Sequence, residues 1–277
     1  MHVARWSLLA VLCACSGNKP PHVRVEDARR PVGDGSGSAN VVPADAAPAP
    51  EVKPPTTGDI SVRVQWEKVP REARVSPGNT SCNTPLTAQV APSTTWGIGD
   101  AVVFVQGAPA HAGEARVVAA KCTLSPRVAV GTSLAIASGA DRPVKLSLAH
   151  ELVAADFAKA SEPARAVALP IAGHEVTSAL TAGGIYHLAF DDKDKGDDAW
   201  IVSADAVITD ASGAVLIKDV APGSHQIRVW LPARGKLPAH TASGKVDVAA
   251  GELAEITLSF DPTATKQTSG ERDDGAP

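Results

Sequence analysis

This sequence predicts an all-β fold built as two fused β-sandwiches, on three observations. Apolar residues recur with a period of two, not 3.6. Turn-forming residues are dense, with 23 glycines and 22 prolines among 277 residues. Aromatic residues make up only 4% of the chain, which suits short strands and many turns better than a helical bundle.

The elements follow in chain order. Ile60-Ser61-Val62-Arg63-Val64-Gln65-Trp66 alternates cleanly and predicts a half-buried strand. Ala101 to Val105 is a continuous apolar run, as in a buried strand. Arg127 to Gly131 and Leu134 to Ile136 bracket a turn. Further strands are expected at Lys145–Leu148, Ile185–Phe190, Trp200–Val202, Val215–Ile217, Gln226–Trp230 and Glu255–Phe260. Glu151 to Lys159 is the one stretch expected to form a short helix. No repeat with a fixed period occurs.

The ends differ from this middle. Residues 16–57 are rich in Pro, Ala, Gly and Ser, as in Pro43-Ala44-Asp45-Ala46-Ala47-Pro48-Ala49-Pro50, and show no apolar periodicity. They read as a disordered tether that reaches roughly 35 Å as a flexible coil. The polar tail 261–277 is expected to be disordered as well.

The N-terminus carries Arg5, then an apolar run from Trp6 to Ala14, then Cys15. That is the layout of a secretory signal, and it is far shorter than the roughly 20 apolar residues that span a bilayer. Leu12-Cys13-Ala14-Cys15 resembles the lipobox of bacterial lipoproteins. The resemblance implies cleavage after residue 14, acylation of Cys15 and attachment to a membrane through that lipid. Ser16 follows the cysteine where sorted relatives retained at the inner membrane carry aspartate, which implies the outer membrane. Two further cysteines, Cys82 and Cys122, fall in the exported part. An oxidising compartment makes a disulfide between them the default, stabilising by roughly 2–4 kcal/mol.

Net charge is −4, so there is no basic footprint for nucleic acid. Catalytic signals fail in turn. His150-Glu151 begins like a zincin helix, but Ala154 stands where the second histidine is needed, and His174-Glu175 lacks it too. Gly35-Ser36-Gly37 lies in the tether. His111, His187, His225 and His240 are scattered, and each reads as a surface or strand residue.

Thr209-Asp210-Ala211-Ser212-Gly213-Ala214-Val215-Leu216-Ile217-Lys218-Asp219-Val220-Ala221-Pro222-Gly223-Ser224-His225-Gln226-Ile227-Arg228-Val229 resembles the carboxypeptidase regulatory-like (transthyretin-like) β-sandwich. Asp210 with Gly213, and Pro222 with Gly223, make the turns that start two strands. Val215 and Ile217 share one face, as do Ile227 and Val229. Val215 and His225 stand where that family carries aromatic residues. A second region, about 58–203, resembles the cupredoxin-like part of proteins labelled methylamine-utilisation-like. The pieces that carry this are Gly58-Asp59-Ile60-Ser61-Val62, Cys82, Ala101 to Gly107, Lys121 to Val128 and Val130 to Leu134. The resemblance implies a cupredoxin-like sandwich inserted into a regulatory-like one. The boundaries are then 1–14 signal peptide, 15–57 tether, 58–68 plus 204–260 regulatory-like sandwich, 69–203 cupredoxin-like sandwich and 261–277 tail.

Such cupredoxins hold a type 1 copper through two histidines, a cysteine and often a methionine. Here the only methionine is Met1, the early histidine falls near Val144-Lys145, and the later ligand segment falls on Asp191, Asp194 and Asp197. The copper site is therefore expected to be lost, with no cofactor. Asp191, Asp192, Asp194, Asp197 and Asp198 place five carboxylates in eight residues, which could ligate calcium. The spacing is not that of an EF-hand, and the expectation is a solvated, exposed acidic turn of little consequence for stability. Together these readings point to a non-enzymatic cell-envelope lipoprotein of the periplasm or cell surface, a binding or scaffolding module for an envelope protein or glycan. The alternative is a periplasmic metal-binding (calcium or divergent copper) or redox-associated protein. Oligomeric state is not legible.

Overall fold

The computed structural model describes residues 55–107, 113–191 and 196–261, all within the unit 52–277. The signal region with Cys15, the tether up to residue 54 and the tail from 262 lie outside them. The described chain is all-β. In order it contains β1 (Gly58–Gln65), a single helical turn α1 (Arg71–Arg74), β2 (Val102–Val105), β3 (Glu114–Ala120), β4 (Thr123–Ser125), β5 (Val128–Val130), β6 (Ser133–Ser138), β7 (Val144–Val153), β8 (Arg165–Leu169), β9 (Glu175–Ala179), β10 (Gly184–Phe190), β11 (Asp198–Ser203), β12 (Ala206–Ile208), β13 (Ala214–Val220), β14 (Gly223–Leu231), β15 (His240–Val248) and β16 (Leu253–Ser259).

Two sandwiches result. In the first, the sheet β13-β1-β16 faces the sheet β12-β2-β14-β15. The alternation of β1 points Ile60, Val62 and Val64 inward, where they meet Val103 and Val105 of β2 and Ile227 and Val229 of β14. β1 runs antiparallel to β13 and parallel to β16, so the first strand is closed in by the last ones. In the second sandwich, β4-β3-β6-β9 faces β5-β11-β10-β7-β8. Its core joins Val117, Leu134 and Ile136 to Leu146, Leu148, Leu188 and Ile201.

The turn expected at Asp210 to Gly213 forms as its chemistry dictates. Asp210 Oδ1 accepts the backbone N–H groups of Ser212 at 2.8 Å and Ala214 at 3.1 Å. Gly213 sits at φ 80°, and a Cβ there would stand 2.4 Å from the nitrogen of Ile98, so the position takes glycine for both reasons.

Two expectations are corrected. The boundary 69–203 puts β2 in the inserted sandwich, but β2 pairs with β12 and β14 of the first. Val69, Ala73, Val90 and Ile98 also pack in the first core, so the inserted sandwich begins at β3 and covers about 114–203. The helix expected at Glu151–Lys159 does not form. β7 runs on to Val153, with Leu152 facing Ile185 of β10, and the chain then turns with Phe157 at φ 59°. That turn carries the Phe157 ring to within 5.6 Å of Phe104 and 6.5 Å of Trp230, and burying it there overrides a weak helical preference.

A third apolar cluster lies where the two sandwiches meet. Val102, Phe104 and Trp230 project from the outer face of the first sandwich onto Val128, Ile185, Trp200 and Val202 of the second. β2 and β11 are therefore buried on both faces. Arg228 crosses the same junction, donating to the carbonyl of Ala154 at 2.9 Å and also to that of Ala155, with its guanidinium 5.1 Å from the Phe157 ring centre.

Candidate functional site: a buried arginine–carboxylate cluster at the junction

β14 ends at Leu231, and the chain turns back at Arg234, whose backbone exchanges hydrogen bonds with Leu237 at 3.0 and 2.9 Å. That turn aims the Arg234 side chain across the junction, where it is only 3% exposed. Its Nη2 pairs with Asp197, just before β11, and its Nη1 with Asp198, the first residue of β11. Its Nε donates to the Thr87 carbonyl at 3.1 Å and Nη2 to the Thr87 hydroxyl at 2.9 Å. Every nitrogen of the fork is engaged, as a buried guanidinium requires.

The second oxygen of Asp198 lies 3.2 Å from Nε2 of His187 on β10. The hairpin register explains this contact. Asp198 faces Ala189, and His187 is two residues back on the same side of the sheet. The His187 ring lies 4.5 Å from that of Trp200, and Trp200 Nε1 donates to the Ala233 carbonyl at 3.2 Å. Burial would raise the Asp198 carboxyl, but the His187 hydrogen bond and the positive charges of Arg234 and Arg127 hold it below the ordinary carboxylate range. Burial pushes Asp197 up in spite of Arg234 beside it.

The segment 87–90 is fastened between the sandwiches by the same kind of contact. Arg127 donates to the carbonyls of Ala88 and Gln89 at 2.9 and 3.0 Å. Gln89 Nε2 donates to the carbonyls of Pro232 and Pro238, each at 2.9 Å. Asp197 donates its backbone N–H to the Cys122 carbonyl at 2.7 Å. Cys122 is disulfide-bonded to Cys82, with Cα atoms 5.9 Å apart across a sequence separation of 40, inside the range a disulfide spans.

The acidic loop therefore needs correction. An exposed turn of little consequence was expected, yet Asp197 is 6% exposed and Asp198 is partly buried, both engaged by Arg234. Asp191 is exposed, with its backbone N–H on the Lys145 carbonyl at 2.9 Å. Asp192 and Asp194 lie outside the described residues, as do Cys15 and His111. The histidines remain apart. His150 stacks on Tyr186 at 4.6 Å, His225 Nδ1 lies 2.9 Å from the Gln106 carbonyl, and His240 sits 4.5 Å from Trp66. Arg234, Arg127 and Gln89 were not legible as site residues, because isolated arginines and glutamines carry no motif. The His187–Asp198 contact was legible in principle, had the hairpin register been laid out.

Chemically the cluster is inward-facing. It can hold the sandwiches in one arrangement and resist water, since removing one partner strands the others. Among the described residues no hydroxyl or thiol hydrogen-bonds to His187. Comparison with protein-family models, with curated proteins and with solved structures finds no match for this chain.

Proposed function

We propose that this chain is a non-enzymatic binding or scaffolding lipoprotein of a bacterial cell envelope, anchored by lipid on Cys15 and carrying two rigidly joined β-sandwiches at the end of a tether. The observation that carries this reading is the engagement of the cluster. Arg234, Asp197, Asp198 and Thr87 satisfy one another across the junction, so this buried polar cluster fastens two modules together. The Leu12-Cys13-Ala14-Cys15 segment supplies the anchoring half of the proposal, and Ser16 favours the outer membrane.

The anchor is tested by fractionation. Cys15→Ala should move the protein from the membrane fraction to the soluble fraction, and mass spectrometry should find the mature wild-type chain starting at an acylated Cys15. A mature chain with an unmodified start elsewhere ends the lipoprotein reading.

A calcium site that drew on Asp197 or Asp198 would have to compete with Arg234 for their carboxylates. Millimolar calcium should accordingly leave the melting temperature unchanged. A calcium-dependent rise abolished by joint Asp191→Asn and Asp194→Asn substitution would favour the metal-binding alternative instead.

A further inference from the structure

Cys122 is the second residue of the Lys121-Cys122 turn that joins β3 to β4, with Ala120 facing Thr123. Both turn residues have positive φ, 46° and 63°, as a type I′ turn demands. Lysine and cysteine carry a Cβ that disfavours this conformation, so the turn is held by its surroundings. Those are the Asp197 N–H on the Cys122 carbonyl, the Thr123 hydroxyl on the Ala120 carbonyl and the disulfide itself. Across the bond, Cys82 belongs to the segment that runs from α1 to β2. Its neighbour Asn83 also has positive φ, 59°.

The two halves differ in exposure and charge. Ser81, Cys82 and Asn83 are exposed, whereas Cys122 is 2% exposed. Arg142 Nη2 lies 3.4 Å from the Cys82 sulfur and 3.5 Å from the Cys122 sulfur. The Ser81 hydroxyl lies 3.3 Å from the Cys122 sulfur. An incoming thiolate finds Cys82 open to solvent, and the Arg142 guanidinium and the Ser81 hydroxyl lie within reach of a thiolate leaving on Cys122. Exposed or strained disulfides with such neighbours are the exchangeable ones.

We propose that the Cys82–Cys122 disulfide is a thiol-exchange site for a dithiol reductant, and that its reduction loosens the segment clamped between the sandwiches. The reductant's thiolate bonds to the Cys82 sulfur, the bond between the cysteines breaks, and its electron pair leaves on Cys122. The reductant's second thiol, deprotonated, then displaces Cys82 as thiolate and closes the reductant's own disulfide. Two electrons pass to the chain, both cysteines take up protons, and the reductant is oxidised. The consequence reaches the junction because Cys122 holds Asp197 through its carbonyl, and Asp197 pairs with Arg234, which also grips Thr87.

The test uses the purified full-length chain without denaturant. Glutathione, a monothiol, should give a mixed disulfide that peptide mapping places on Cys82, with Cys122 free for alkylation. With dithiothreitol, Arg142→Gln should slow reduction about 3–10-fold, and Arg142→Lys should restore most of the rate. Limited trypsin digestion after reduction should cut at Arg74 and Lys121 faster than before it. A glutathione adduct on Cys122, reduction only after unfolding, or an Arg142→Gln rate equal to wild type would overturn the proposal. The adduct site is read on the wild-type chain, so the outcome does not depend on any variant folding. Failure here would leave the lipid anchor and the scaffolding reading untouched.

Discussion

Substituting Arg234 with alanine should lower folding stability by about 3–5 kcal/mol, read from urea denaturation. The side chain is nearly inaccessible and neutralises both Asp197 and Asp198. Its loss leaves two carboxylates desolvated against each other, and it also strips the Thr87 carbonyl of its donor. The same logic predicts strong non-additivity. Asp197→Asn and Asp198→Asn introduced into the Arg234→Ala background should recover part of the loss, because the stranded charges are then gone. A loss below about 1 kcal/mol is the behaviour of a solvent-exposed ion pair, and would show that the cluster does not fasten the junction.

Acid should act through the same residues. The Asp198 carboxyl is depressed in the folded chain from its ordinary value of 3.8. A carboxyl depressed by folding contributes stability above its unfolded value and loses it as pH falls through its folded value. The contribution should therefore fade below about pH 4, and Asp198→Asn should remove this loss of stability on acidification. Asp197, raised by burial, titrates with the opposite sign in this region, so the slope measured in wild type is the difference of two effects.

Replacing Trp230 with alanine should cost about 3–5 kcal/mol and should also divide the unfolding transition. Trp230 is 1% exposed, with Trp200 at 5.3 Å edge-on and Phe157 stacked at 6.5 Å. These rings come from both sandwiches, so the cavity opens in the junction, between the two separate cores. Calorimetry should then find two transitions in the variant and one in the wild type. A single transition shifted to lower temperature would mean that the polar cluster and the Cys82–Cys122 bridge couple the sandwiches without the aromatic contact.

The sequence by itself determined the all-β class and most of the long strands. β1 is the plainest case, since its strict alternation leaves one buried face, and slipping the register by one residue would expose Ile60, Val62 and Val64 together. Asp210 and Gly213 were legible for a related reason, because a side-chain-closed turn is local chemistry. Two of the strands that went unread, β9 (Glu175–Ala179) and β15 (His240–Val248), are edge strands of polar or small residues, whereas β3 (Glu114–Ala120), also unread, is an inner strand whose buried face is mostly alanine, Ala115 and Ala119 beside Val117. Their pairing comes from neighbouring strands, so their own sequences carry little pattern.

Only the tertiary structure decided where β2 belongs and what the acidic loop does. Val102-Val103-Phe104-Val105 is apolar on both faces because one face enters the first core and the other the junction. An unbroken apolar run reports two buried faces but not which sheets cover them, and so the run was placed in the wrong sandwich. Asp197 and Asp198 read as a solvated turn because charge in sequence reports only a need for hydration or a partner. Their partner, Arg234, stands 36 residues beyond Asp198 on a turn of the other sandwich. It comes within reach only once both sandwiches have formed and docked.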